Sequence, residues 1–361
     1  MSNFDKWDRL FRAQKMNVFN DDTNGLLWLK VRAVCRGKQL KSFLETNQIT
    51  LQSQRIADRN IELFEYLEHK EGAMAMLDTF LGNLNNEWYN AQNVDIEKLK
   101  SDLYKVKDYS WGGDQNNSLD KYFVSRYVKV ISEFDKLESS KEGIANNAWN
   151  YVQVSWYNNW TSFLIESLFK RHAQVVSAVG AIKSVDFFIG GYPIDLKVTF
   201  FPTQFMDGRM KEKLGKKELS WLKQQAKEQG ISVDTHQPES MQMYTLREKL
   251  SAAGHQSILD TLASYRKQIV NEAQAAPAEL ITWLYENQGE MRFGAENRLF
   301  LVLVDSVRMD ESWKLKRAYE LIEPKVTDYL AHFSAETLKK IHFTYKGTEY
   351  HTLSDIIFVV K

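Results

Sequence analysis

Apolar residues recur three and four positions apart through most of the first 150 residues, the spacing of helices with one buried face. Residues 52–69 carry Ile56, Ile61, Leu63, Phe64 and Leu67 in this pattern, 71–84 continue it, and 119–137 place Tyr122, Phe123, Tyr127, Val130 and Phe134 on it. The turn-forming runs Asp21-Asp22-Thr23-Asn24-Gly25 and Trp111-Gly112-Gly113-Asp114-Gln115-Asn116-Asn117 interrupt the helices. After residue 150 the period changes. A strongly apolar helix over 153–172 leads to a Val/Ala-rich strand over 174–180, then to short strands over 185–189 and 192–201 flanking Gly190-Gly191. A lysine-rich helix is expected over 209–228, a polar loop over 230–243, and helices over 245–253, 257–273 and 278–288. The apolar run Leu299-Phe300-Leu301-Val302-Leu303-Val304-Asp305 reads as a strand buried on both faces. A helix over 311–330 and strands over 341–345 and 355–359 complete the pattern. The expected class is α/β, with a mostly helical region 1–150 preceding an α/β domain 151–361.

Composition narrows the class without naming a function. The 361 residues are 43% hydrophobic with 5 Pro and 17 Gly, which excludes a collagen-like, linker-dominated or disordered chain. The length suits one large or two ordinary domains. The 47 basic and 47 acidic side chains cancel, which excludes a globally basic polyanion binder and leaves a local basic groove open. Cys35 stands alone, so neither an intrachain disulfide nor a cysteine-built zinc site is available. The 7 histidines show no H-E-x-x-H or i,i+4 pair. No apolar run reaches the roughly 20 residues that span a bilayer, and the charged stretch 1–14 lacks the apolar core of a secretory signal. A cytoplasmic protein without membrane contact is expected.

The chemistry concentrates at one hairpin. Gly190-Gly191 between apolar runs predicts a two-residue primed turn. Counting outward, Ile189 opposes Tyr192, Phe188 opposes Pro193, Phe187 opposes Ile194, and Asp186 opposes Asp195. Val185, Phe187, Ile189, Tyr192, Ile194, Leu196 and Val198 then share one apolar, core-facing side. Asp186, Asp195, Lys197 and Thr199 share the other with Phe188 and Pro193. The two aspartates fall at a non-hydrogen-bonded pair, where α-carbons are about 4.5 Å apart and like charges destabilise the sheet. Protonation, open water or an intervening cation must compensate, and hard oxygen ligands at this separation suit Mg²⁺.

Val185-Asp186, eight intervening residues, and Asp195-Leu196-Lys197 resemble the PD-(D/E)xK signature of the restriction-endonuclease-like nuclease superfamily, with Val185 where the name-giving pattern has proline. The resemblance covers roughly 151–201 and extends to Asp305 as a further core strand. It implies a mixed central β-sheet flanked by helices, Mg²⁺ as cofactor with Mn²⁺ as a substitute, double-stranded DNA as substrate, and a homodimer. A type II restriction endonuclease is the leading implication. A repair, recombination or phage-defence nuclease of the same fold and a catalytically silent DNA-binding or scaffold protein are the alternatives. Asp186 and Asp195 would be the metal-binding carboxylates, the backbone carbonyl of Leu196 a further ligand, and Lys197 the group that orients or deprotonates the attacking water. The family often adds an acid from the helix before the first core strand, and Glu166 is the candidate, as a catalytic group and a further metal ligand. Asn159, Ser162, Glu166 and Lys170 form the polar arc of an otherwise apolar helix; a solvent-facing Glu166/Lys170 pair is the plainer reading. Region 1–150 would recognise DNA or form the dimer.

Weaker signals surround this core. Lys211, Lys213, Lys216 and Lys217, with Arg209, Lys223 and Lys227, form a candidate DNA-contacting patch or a plain solvated face. Arg292, Arg298 and the Gly294 turn before the apolar strand are similar but weaker candidates.

Overall fold

The doubly apolar run in the last third of the chain lies at the middle of the molecule. In a computed structural model that describes residues 2–35, 37–111, 118–178, 182, 184–288 and 296–361, every residue of strand Arg298–Val304 is buried. Leu299, Leu301 and Leu303 join one apolar cluster, and Phe300, Val302 and Val304 join another on the opposite face. The strands are β1 Val175–Ser177, β2 Phe187–Ile189, β3 Tyr192–Phe200, β4 Arg298–Val304, β5 Lys339–Tyr345 and β6 Thr348–Val360. They form one mixed sheet in the order β1-β2-β3-β4-β6-β5. β1, β2 and β3 pair antiparallel; β3, β4 and β6 run parallel; β5 returns antiparallel to β6. The architecture is thus α/β with a mixed six-stranded open sheet.

Parallel pairing of β3 with β4 requires a crossover. Helices Thr203–Leu214, Glu218–Glu228, Glu239–Ala252, Gln256–Ala275 and Pro277–Asn287 supply it and cover the face of Phe300. The other face receives the long helix Lys141–Lys170 and helix Tyr319–Ala331. The hairpin extends beyond the crossover helices, so the Phe188 side needs another cover. Helices Asn3–Arg12, Thr23–Val34, Gly37–Thr46, Ile56–Glu68 and Ala73–Ala91 provide it, gathering around Trp28 and packing on Ile182, Val185 and Phe188. The long helix runs through residue 150 without a break. Among the described residues no helix is long and apolar enough to cross a membrane.

Three expected helices divide. The 119–137 segment becomes Leu119–Phe123, a π-helical turn Val124–Val128 and helix Phe134–Ser139. Val130 and Phe134 stay 71% and 73% exposed, so no apolar seat holds that spacing in one helix. The 209–228 segment breaks at Gly215, whose φ of 70° ends Thr203–Leu214 with a left-handed cap. The 311–330 segment begins as the 3₁₀ helix Met309–Arg317, where buried Arg317 donates to the carbonyls of Leu103 and Val106. The polar 230–243 stretch is shorter than expected as a loop, because a helix starts at Glu239. The 174–180 strand is observed as Val175–Ser177; residues 179 and 180, the 112–117 part of the turn-rich break, Arg292 and Gly294 lie outside the described residues.

Candidate active site

Gly190 and Gly191 take φ of 56° and 91°, the positive values a primed turn demands. The turn sets the register, and Ile189/Tyr192, Phe188/Pro193 and Phe187/Ile194 pair as expected. There the ladder ends. The Asp186 N–H donates back to the Ile194 carbonyl at 2.8 Å. Asp186 Oδ2 accepts the Leu196 N–H at 2.8 Å, replacing the backbone acceptor that a longer β2 would offer. The expected flat Asp186/Asp195 ladder pair is corrected accordingly: Asp186 caps the open end of the ladder along the edge of β3. Val185 turns with it and packs beside Phe188, away from the Phe187 side to which alternation assigned it.

Asp195 is 7% exposed. Its N–H donates to the Asn297 carbonyl at 2.8 Å, and the parallel register sets it beside Arg298. Lys197 Nζ lies 2.9 Å from Asp195 Oδ1 and 2.8 Å from Oδ2, with the lysine itself exposed. Arg298 Nε stands 3.6 Å from Asp195 Oδ2, beyond hydrogen-bond reach, and this buried Nε has no other acceptor among the described residues. Arg298 Nη2 donates to Glu296 at 3.1 Å, and the guanidinium lies 4.9 Å from the Tyr285 ring centroid. Asn297 ties the base of the site together: its amide donates to the Pro193 carbonyl at 3.0 Å and to Asn20 at 2.5 Å.

Burial raises both carboxyls, and neighbouring negative charge adds to it: Asp195 and Glu166 act on Asp186, and Glu296 acts on Asp195. Asp186 is pushed from 3.8 to about 6, chiefly by burial and then by the charge of Asp195, against the opposing Leu196 N–H. Glu166 adds to the rise and Lys170 counters it. Asp195 is also raised by burial, with Lys197 pulling the other way. Glu166 therefore acts on Asp186 through its field, while its own Oε2 is held by Lys170 Nζ at 2.7 Å. Both members of this i,i+4 pair are half-buried. The fold thus brings Asp195 and Lys197 into contact and sets Asp186 within the fields of Asp195, Glu166 and Lys170.

The lysine-rich segment does not join this cluster. Lys213 pairs with Glu272 at 2.7 Å, Arg209 with Glu212 at 2.8 Å and with Glu279, and Lys216 donates to Gln224 at 2.5 Å. Lys211 and Lys217 are exposed. Glu296 and Asn297 are the site members that the sequence reading did not name; Arg298 entered it only as a basic-patch candidate and Lys170 only as the partner of Glu166. The signal for Glu296, Asn297 and Arg298 was available: polar residues directly preceding an apolar run buried on both faces must themselves be buried or partnered.

The donor set suits a hard divalent cation. Asp186 and Asp195 offer carboxylates whose repulsion such an ion relieves. Leu196 directs its carbonyl to the same strand edge as the N–H that Asp186 accepts. Among the described residues no three His, Cys, Asp or Glu side chains converge as a metal cage. Mg²⁺ needs none, because it keeps several waters and takes one or two carboxylates plus substrate phosphate. Comparison of the chain with protein-family models, curated proteins and solved structures returns no match.

Proposed function

We propose that the chain is a Mg²⁺-dependent endonuclease with a restriction-endonuclease-like core, hydrolysing phosphodiester bonds of double-stranded DNA as a type II restriction enzyme. The observation that carries this reading is the junction of β2 and β3. Two raised carboxylates, one strand-edge carbonyl and one exposed lysine meet within a few residues of a tight turn. The element order supports it too: a helix bearing an acid, a strand, a tight hairpin, a crossover, and a doubly buried strand parallel to the third.

Asp186, Asp195 and the Leu196 carbonyl would hold the cation, with Glu166 as a further carboxylate nearby. When bound, Mg²⁺ lowers the pKa of a coordinated water and polarises the phosphate. Lys197 holds its ammonium against Asp195 at the exposed edge, where it orients the attacking water and offsets negative charge developing on the phosphate. Arg298, held by Glu296, sets its charge 3.6 Å from Asp195. Plasmid DNA incubated with protein and Mg²⁺ or Mn²⁺ tests the proposal. Cleavage by the wild type that is lost in Asp195→Asn and Lys197→Ala supports it. Binding without any cutting in either metal defeats the enzyme reading. Discrete fragments favour restriction, and a smear favours a repair or defence nuclease. Twofold pairing on palindromic DNA follows from the restriction reading and is checked by sedimentation.

A further inference from the structure

Glu166 lies one helical turn from a polar cleft that the chemistry above does not use. A cavity of about 760 Å³ lies between the C-terminal end of helix Ala73–Ala91, the following 92–96 segment and the long helix. Its walls carry the amides of Asn86, Asn90 and Asn93, the rings of Tyr89 and Phe163, the guanidinium of Arg171, and the carboxylate of Asp95, which accepts the Lys98 N–H at 3.0 Å. Phe163 and Glu166 are one helical turn apart, so the cleft and the acid share one wall of the long helix. The Tyr89 hydroxyl lies within the fields of both Glu166 and Arg171, which joins the two regions electrostatically. The Asn85 amide fixes the walls to each other by donating to the Lys170 carbonyl at 3.2 Å.

We propose that this cleft holds the DNA strand flanking the scissile phosphate; the inference rests on the nuclease reading and extends it. Neutral amides and one arginine are the groups that contact phosphate and sugar oxygens and set register on the backbone. Aromatic rings beside them offer a stacking face: Trp88, 45% exposed, and Tyr89 lie 5.6 Å and 5.3 Å from the Phe163 ring. The lining also suits a neighbour of the carboxylates: one arginine and one aspartate among neutral amides leave it without net charge, so a polyanion can approach without a strong rival field for the cation.

The test measures binding apart from cutting. Fluorescence anisotropy with a labelled DNA duplex and its single strand is recorded in Mg²⁺ on an Asp195→Asn background, with and without Arg171→Ala and Asn90→Ala. The expected result is a loss of affinity of about tenfold and, for Arg171→Ala, a salt dependence shallower by about one counterion. Arg171→Lys should retain the salt slope, and unchanged melting temperatures should show that folding is intact. Equal affinities and slopes in a background that binds DNA would overturn the cleft assignment while leaving the nuclease reading standing. A wild type that neither binds nor cuts DNA would overturn both.

Discussion

Removing one of the two opposed carboxylates should stabilise the metal-free protein at neutral pH. Asp186 ionises near 3.8 when exposed and near 6 in the fold, so the native state favours the protonated form. The contribution of this group is fully present below pH 4 and is lost as pH rises through 6. The difference corresponds to about 3 kcal/mol at 1.36 kcal/mol per pKa unit, and partial exposure with solvent screening reduces it to about 2 kcal/mol. Asp186→Asn keeps the shape and retains an oxygen for the Leu196 N–H, and it carries no charge at any pH. In EDTA at pH 7.5 the variant should therefore be about 2 kcal/mol more stable than wild type. A chain of 361 residues has an unfolding entropy on the order of 0.8 kcal/mol/K, so the gain reads as a rise of about 3 °C in Tm. At pH 4 the two proteins should melt together. Mg²⁺ should reverse the order at pH 7.5, because only the wild type retains the full ligand pair. A variant that is less stable in EDTA at pH 7.5, or equally stabilised at both pH values, would refute the account of opposed, buried carboxylates.

Four other outcomes follow. At subsaturating Mg²⁺ the cleavage rate should climb as pH passes about 6, because Asp186 must lose its proton to serve as a ligand; a flat profile between pH 5 and 8 would argue against it as one. Arg298→Ala strands Glu296 and Asp195 without their buried cation and should cost about 3–5 kcal/mol in urea titration, with partial recovery when Glu296→Gln is added. Glu166→Gln removes a half-buried i,i+4 pair and should change stability by less than about 1 kcal/mol, so any larger loss in cleavage rate would mark a role in the chemistry. Gly190→Ala should destabilise by about 1–2 kcal/mol, since its new Cβ meets Phe333 Cε1 at 3.0 Å and its φ is 56°; an unchanged melting temperature would show that the turn can take another form.

Much of this arrangement was legible in the chain. Gly190-Gly191 defined the turn, the turn defined three residue pairs, and the parity of the strand put Asp195 and Lys197 on one side. The uninterrupted run from Leu299 announced a strand covered twice, and the sheet covers it twice. Periodicity could carry these conclusions because each depends on neighbours two to ten residues apart. It failed where the deciding partner was remote. Whether Asp186 stays in the ladder depends on Val185, which is drawn toward a cluster built from the first 81 residues. Whether 119–137 forms one helix depends on a surface for Val130 and Phe134 to bury against.

The site divides along the same line. Local sequence determined the residue types and their order along β2 and β3, because turn chemistry and alternation act over a few bonds. Only the tertiary structure decided their protonation and partners. Arg298 reaches Asp195 because a crossover of about a hundred residues returns β4 parallel to β3. Glu166 weighs on Asp186 because the long helix ends beside β1. Charge interactions follow distance through space, and the fold sets that distance.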